Sequence, residues 1–178
     1  MDAHFFSGSS VAKLDEKNRF VLRQELRYGL IENGKLEFTL ALGFGGGLVI
    51  YRNSEMQSII EKFKKKIHQQ EYQKFFTLFF STLHPMTCDK LGRVSIPSLL
   101  KEAAGMKKEI IVAGVLNKIE LWSKDVYDKN LAEMLQGSSE LTSITQKAFS
   151  LLNDEPEQKD IEEMIQDKQS KAFAKTDL

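Results

Sequence analysis

The sequence predicts an α+β fold in which one small β-rich unit occurs twice in tandem, with helices between and after the two copies. Three observations predict it. Residues 14–27 and 88–101 align with coincident Asp and Arg and matching apolar positions. Residues 48–52 and 119–123 align again as apolar strand-like runs, after an insertion of three residues in the first copy. Between the copies lies a Phe-rich block whose apolar residues recur at steps of three and four. The boundaries are a first repeat over 7–54, a helical connector over 55–82, a second repeat over 83–126, and a C-terminal helix with an acidic, mobile tail over 127–178.

Each repeat reads as a strand up to the Asp, a tight turn, a strand after the Arg, a short helix and two further strands. In Asp89-Lys90-Leu91-Gly92-Arg93 the carboxylate can accept bonds from the following backbone N–H groups, and Gly92 can take positive φ. Asn18 fills that place in the first repeat, and Asn is the side chain that best tolerates the left-handed region. Pro97 or Ser98 starts the helix of the second repeat and Gly105 ends it, whereas Arg23 stands in place of the proline in the first. Strands over 109–115 and 118–122 then flank an Asn117-Lys118 turn, matched by 35–42 and 48–51 around the loop Gly43-Phe44-Gly45-Gly46-Gly47. Those glycines make a hairpin loop: no Gly-Lys-Ser/Thr follows them, and a strand follows where a phosphate loop needs a helix.

In the connector, Ile59, Ile60, Phe63 and Ile67 share one helix face, with Lys62, Lys64, Lys65 and Lys66 mostly on the solvated other side. Tyr72, Phe75, Phe76, Phe79, Phe80 and Leu83 keep the same period in a second helix, which His84-Pro85 closes. This aromatic stripe is read as a packing face. After the second repeat, 124–135 reads as a helix, and from Gln136 the chain turns polar and is expected to be mobile or only weakly helical.

Length, charge and cysteine usage narrow the function. The 178 residues, 42% hydrophobic and 28% charged, suit a globular chain with its own core. No run approaches the roughly 18 to 20 apolar residues of a membrane span, and the first residues lack a basic signal region, which predicts a cytoplasmic protein without a membrane partner. One cysteine, Cys88, and three scattered histidines give neither a disulfide nor zinc spacing, so no cofactor or metal is expected, and Cys88 is read as a small core hydrophobe. The formal charge of zero hides a gradient. Residues 1–80 carry 12 Lys+Arg against 9 Asp+Glu, residues 81–126 carry 7 against 5, and residues 127–178 carry 6 against 11. A body of net +5 thus sits before an acidic tail, compatible with a polyanionic partner.

The two Asp-x-x-(Asn/Gly)-Arg turns, the block 76–81, the run Cys88 to Pro97 and the run Val115 to Trp122 together resemble the MraZ family of bacterial transcriptional regulators, over about residues 4–135. The resemblance implies tandem SpoVT/AbrB-type domains whose swapped hairpins pair as an internal pseudo-dimer. It also implies a ring-shaped homo-oligomer that binds short direct repeats of double-stranded DNA upstream of the division and cell-wall gene cluster, hence a nucleoid-associated cytoplasmic protein. Family members usually have Gly where Asn18 stands and Pro where Arg23 stands.

DNA binding needs cations for phosphates and a few side chains for base edges. Lys13, Lys17, Arg19, Arg23 and Arg27 fall close together in the first repeat, and the second offers Lys90 and Arg93, with Lys107 and Lys108 nearby. By the resemblance, Arg19 is the first candidate for base contact, on a β-ribbon offered to the major groove. Lys13 and Lys17 suit phosphates, as point charges on flexible stems. Arg19 and Arg93 could instead pair with Asp15 and Asp89 and fix the turns; the two roles are compatible. An enzyme, a hydrolase using Asp15, Asp89 and one of His4, His68 or His84, is disfavoured because the histidines lie outside both turns, and no small-molecule substrate is expected. The second alternative is an antitoxin-like or protein-interaction module of the same fold.

Overall fold

The computed structural model describes residues 5–136 and 139–151. The first repeat forms β1 (Ser9–Lys13), β2 (Arg19–Val21), α1 (Gln24–Leu30), β3 (Glu37–Leu42) and β4 (Leu48–Arg52). The connector forms α2 (Asn53–Lys64) and α3 (Gln73–Ser81). The second repeat forms β5 (His84–Thr87), β6 (Arg93–Ser95), α4 (Ser98–Ala103), β7 (Glu109–Val115) and β8 (Lys118–Ser123), followed by α5 (Lys124–Leu135). The chain divides into two compact units, the first through Lys129 and the second from Asn130.

Within the first unit, the pairing of strands joins the repeats. A six-stranded antiparallel sheet runs in the order β1-β7-β8-β4-β3-β5. The first strand of each repeat therefore lies on the third strand of the other, with Lys13 opposite Glu109 and Thr87 opposite Glu37. The short second strands of the two repeats, β2 and β6, pair only with each other. At the centre, β4 and β8 join the two hairpins, with Ile50 opposite Ile119.

Equivalent positions of the repeats meet in one core. Phe20 and Val94, Leu22 and Ile96, Leu26 and Leu100, Phe38 and Ile110, Leu40 and Val112, and Ile50 and Leu121 all belong to a single buried cluster. At about 1.5 to 3 kcal/mol for each large apolar side chain removed from water, this cluster supplies most of the unit's stabilisation. The exchanged strands β1 and β5 lie at the two edges of the sheet and contain no buried residue, so the repeats are joined mainly by this common core and by the β2–β6 and β4–β8 pairings. Cys88 packs, partly buried, at the edge of this cluster, and burial raises its thiol pKa.

The helices of the connector cover Ala41 through a second cluster of Met56 and Phe79, against which Ile59, Ile60, Phe63, Phe80 and Leu83 pack. Phe63 is its hub: its ring meets Phe75, Phe76, Phe79 and Phe80 edge to face at centroid distances of 5.4 to 6.1 Å. The aromatic stripe is thus a packing face, although Tyr72 and Phe75 on its margin stay exposed.

Several details differ from the sequence reading. The helix α3 ends at Ser81 rather than at His84-Pro85, where the Thr82 hydroxyl donates to the Leu78 carbonyl at 2.7 Å. Pro85 lies in β5, an edge strand, where a residue without an N–H is tolerated. Ile67 falls beyond α2, which stops at Lys64. The hairpin between β7 and β8 turns at Leu116-Asn117, one residue earlier than expected, with Leu116 at φ 56°. Two backbone bonds with Phe6, at 2.7 and 2.9 Å, hold Leu116 in that unfavourable region. In the second unit, Ser139–Ser150 forms a helix, α6, where a mobile or weakly helical segment was expected. The segment contains no Gly or Pro to break a helix. The acidic stretch after Leu151 lies outside the described residues.

A shared core makes a specific prediction. Leu22→Ala in the first repeat and Ile96→Ala in the second should each destabilise the protein by about 2 to 5 kcal/mol. Each should shift one and the same urea transition reported by Trp122 fluorescence. A Trp122 transition untouched by Leu22→Ala would mean that the repeats fold separately.

Candidate nucleic-acid interface

The two turns are near copies of each other. Asp15 Oδ1 accepts the backbone N–H groups of Lys17 and Arg19, both at 2.9 Å. Asp89 Oδ1 accepts those of Leu91 and Arg93, also at 2.9 Å. In each turn the other carboxylate oxygen takes the arginine: Arg19 Nε donates to Asp15 Oδ2 at 2.8 Å, and Arg93 Nε to Asp89 Oδ2 at 2.6 Å. The Arg19 guanidinium and the backbone bonds of the turn hold the Asp15 carboxyl down at about 2, from an ordinary 3.8. The backbone and side-chain bonds of Arg93 lower that of Asp89. Asn18 and Gly92 both have positive φ, 56° and 75°. Asn18 therefore reproduces the glycine's turn, and its amide donates to Ser98 Oγ of the other repeat at 3.1 Å.

The turns are tied together across the repeats. Leu22 N–H donates to the Gly92 carbonyl and Ile96 N–H to the Asn18 carbonyl, each at 2.9 Å. Between them runs the β2–β6 ribbon, in which Arg19 faces Ser95 and Val21 faces Arg93. Phe20 and Val94 point into the core, so the alternation of a strand turns Arg19, Val21, Arg93 and Ser95 to the outer face. Arg19 and Arg93 thus occupy diagonal corners of one ribbon, roughly 7 to 8 Å apart. The ribbon foreseen from the sequence exists, but each repeat supplies only one of its strands.

The remaining candidates divide between the ends of this ribbon. Lys17 and Lys90 are exposed at the tips of their turns, and Lys13 is exposed at the end of the edge strand β1. Arg23, exposed before α1, lies 3.4 Å from Glu25. Arg27 is separated from Arg19, with which the sequence groups it. Its guanidinium lies against the second turn, where a Cβ on Gly92 would come within 2.7 Å of it. Lys107 and Lys108 move the other way. They lie beside the first turn, because β1 pairs with β7 and Leu14 N–H donates to the Lys108 carbonyl at 2.9 Å. Together with Lys101 they face Leu14, Asp15 and Glu16 across a hollow of about 310 Å³. Lys101 was not singled out from the sequence, although Arg27 and Lys101 coincide as cations in the repeat alignment. Of the histidines weighed for an enzyme, His84 sits in β5 with Nδ1 2.8 Å from the Thr82 carbonyl oxygen, and His4 lies outside the described residues.

The Gly43–Gly47 loop takes no part in this surface. It closes on itself through Gly43 N–H to the Gly47 carbonyl at 2.9 Å, and a Cβ at Gly47 would meet the Trp122 ring at 3.1 Å.

The two repeats thus present arginines on a common ribbon, and comparison with known proteins gives the chain a family. Residues 79–150 match the family described as "MraZ protein, putative antitoxin-like". A transcriptional regulator MraZ from Cytophaga hutchinsonii is 33% identical over 144 residues, covering 80% of this chain and 93% of that protein. Those from Clostridium acetobutylicum and Lachnoclostridium phytofermentans are 34% and 33% identical, covering 82% and 70% of this chain and 98% and 86% of theirs. The chain belongs to the MraZ family of transcriptional regulators. No helix among the described residues is long and apolar enough to cross a membrane.

The turn geometry makes two predictions. Because the Asp15 carboxyl is held at about 2 in the folded chain, the unfolded chain takes up its proton first as pH falls. The stabilisation is complete above about pH 4 and is lost as pH falls toward 2. Asp15→Asn should therefore be less stable than wild type at pH 7 by an amount that shrinks as pH approaches 2, as followed by urea titration at several pH values. A constant difference across that range would contradict the ion pair. Gly92→Ala should be destabilising by about 1 to 2 kcal/mol through its left-handed φ, whereas Asn18→Gly should be within about 0.5 kcal/mol of wild type; thermal melting of both variants provides the comparison.

Proposed function

We propose that this regulator binds DNA sequence-specifically, at short direct repeats upstream of the division and cell-wall gene cluster that includes its own gene. The observation that carries the reading is the ribbon shared by the repeats, with Arg19 and Arg93 on its outer face. A two-stranded ribbon fits the major groove, and a guanidinium on it can reach guanine O6 and N7. In this reading Asp15 aims Arg19, which keeps 28% of its side-chain surface exposed, and fixes its direction before DNA arrives. Lys13, Lys17, Arg23 and Lys90 contact phosphates, and Arg93 serves the second turn as Arg19 serves the first. The two repeats act as an internal pseudo-dimer of the SpoVT/AbrB type, each lending its first strand to the other.

One chain carries few cations for tight binding, so we infer a ring of identical subunits that sets several ribbons on successive repeats. Avidity from such linkage reaches roughly 10² to 10⁴. Exposed Phe44, Tyr72 and Phe75 border a groove of about 680 Å³, an apolar surface of the kind that subunit contact covers. The same groove supports a second reading, an antitoxin-like module that holds a foreign protein. Copurification of a stoichiometric partner without DNA affinity would favour it.

Fluorescence anisotropy with duplexes holding one to four upstream repeats tests the first reading. Arg19→Ala should lose about 1 to 3 kcal/mol of preference for the chain's own upstream DNA over a scrambled duplex. Light scattering on the same samples should report an assembly larger than a monomer. A wild-type protein that ignores its upstream DNA at low salt, or a monomer that binds one repeat as tightly as four, would refute the proposal.

A further inference from the structure

The two ends of the ribbon are chemically unlike, although the backbone makes them equivalent. At the first-turn end, the second repeat contributes Lys101, Lys107 and Lys108 around the hollow beside Asp15 and Glu16. At the other end, the positions that correspond in the repeats are Arg27, Lys35 and Leu36. The first turn carries Lys17 where the second carries Leu91, and β1 ends in Lys13 where β5 ends in Thr87. Glu16, which corresponds to Lys90, and Arg23, which stands beside the second turn where Pro97 stands beside the first, run against this trend. Leu91 is 66% exposed. Lysines are thus in excess at the first-turn end, whereas the second-turn end holds Arg23 and Arg27.

The acids in the hollow do not cancel that excess. Asp15 is occupied by Arg19 at 2.8 Å. Lys107 is tethered to Asp125 at 2.7 Å, and its charge is shared with that carboxylate. Lys101 and Lys108 form no ion pair among the described residues, and Glu16 alone faces them without one. The β1–β7 pairing and the Leu14–Lys108 backbone bond fix the second repeat's loop next to the turn, and Lys101 and Lys108 line the same hollow as Asp15 and Glu16.

We propose that Lys101 and Lys108, supplied by the second repeat, complete the first-turn end as a phosphate-contacting ledge for the backbone of double-stranded DNA. The inference rests on the DNA-binding reading above and deepens it. The first repeat aims the arginine at the bases, and the second repeat anchors the flanking phosphates. Lysine suits this task, as a compact charge on a flexible stem that places no demand on sequence.

The salt dependence of binding to the chain's own upstream duplex tests this. Neutralising one phosphate fewer lowers the slope of log K against log salt by about 0.9. Lys101→Gln/Lys108→Gln should therefore reduce the slope by about 1.8 for each subunit engaged. It should weaken the upstream and a scrambled duplex by the same factor, whereas Arg19→Ala closes the gap between them. Lys101→Arg/Lys108→Arg, which keeps the charge, should retain the wild-type slope. Lys62→Gln/Lys65→Gln, which removes two exposed charges in and just after α2, should retain it as well. Wild-type melting of the Gln pair establishes that its fold is intact. A Gln pair at positions 101 and 108 with the slope of wild type, or a slope lowered equally by the pair at 62 and 65, overturns the ledge while leaving the DNA-binding reading in place. A wild type that binds no DNA overturns both.

Discussion

The constraint on which the structure depends is that the two repeats share one sheet and one buried core. Strand β1 is hydrogen-bonded to β7 and β5 to β3, so every repeat borrows its outer strand from the other. Buried pairs such as Leu22 and Ile96, or Leu40 and Val112, then meet in one core. The buried side chains of this core lie outside the exchanged strands: β1 and β5 contain no buried residue and are held chiefly by their backbone ladders, with partly buried Ala12 and Met86 packing on the core's margin. The β2–β6 ribbon is a by-product of that exchange. It exists because the two chain segments leaving the turns are brought side by side.

The candidate interface follows from the same pairing. The Asp–Arg turns are local structures, held by bonds within five residues, and each could form on its own. What they cannot do alone is face the same way. The bonds from Leu22 to Gly92 and from Ile96 to Asn18 set them at opposite ends of one surface. The family membership supplies the biological setting, transcriptional regulation, and the proposed mode of DNA contact builds on this surface. The pair Asp15–Arg19 fixes the direction of the guanidinium on the outer face of the ribbon.

The two repeats are not equivalent in detail. Asn18 stands where the second turn has Gly92, and the structure gives a reason for the difference. Arg27 folds onto Gly92 closely enough to exclude a Cβ at ordinary contact distance, while Asn18 uses its side chain to reach Ser98. Leu36 against Lys108 and Leu91 against Lys17 extend the asymmetry to charge.

The sequence by itself determined the local structure. The spacing of Asp15 and Arg19, and of Asp89 and Arg93, specified the turns, because a carboxylate that short can only reach backbone groups two to four residues on. The conformation at Asn18 was legible for the same reason, and the period of Phe75, Phe76, Phe79 and Phe80 marked the packing face of α3. Tertiary structure alone decided which cations stand together. Lys107 and Lys108 belong to the second repeat in sequence yet stand at the first turn, and Arg27 does the reverse, because contacts between strands distant in the chain carry no local signature. The same holds for Leu116, whose left-handed backbone is held by Phe6 from the far end of the chain, and for the passage of the chain through Pro85, which only an edge position in the sheet makes acceptable.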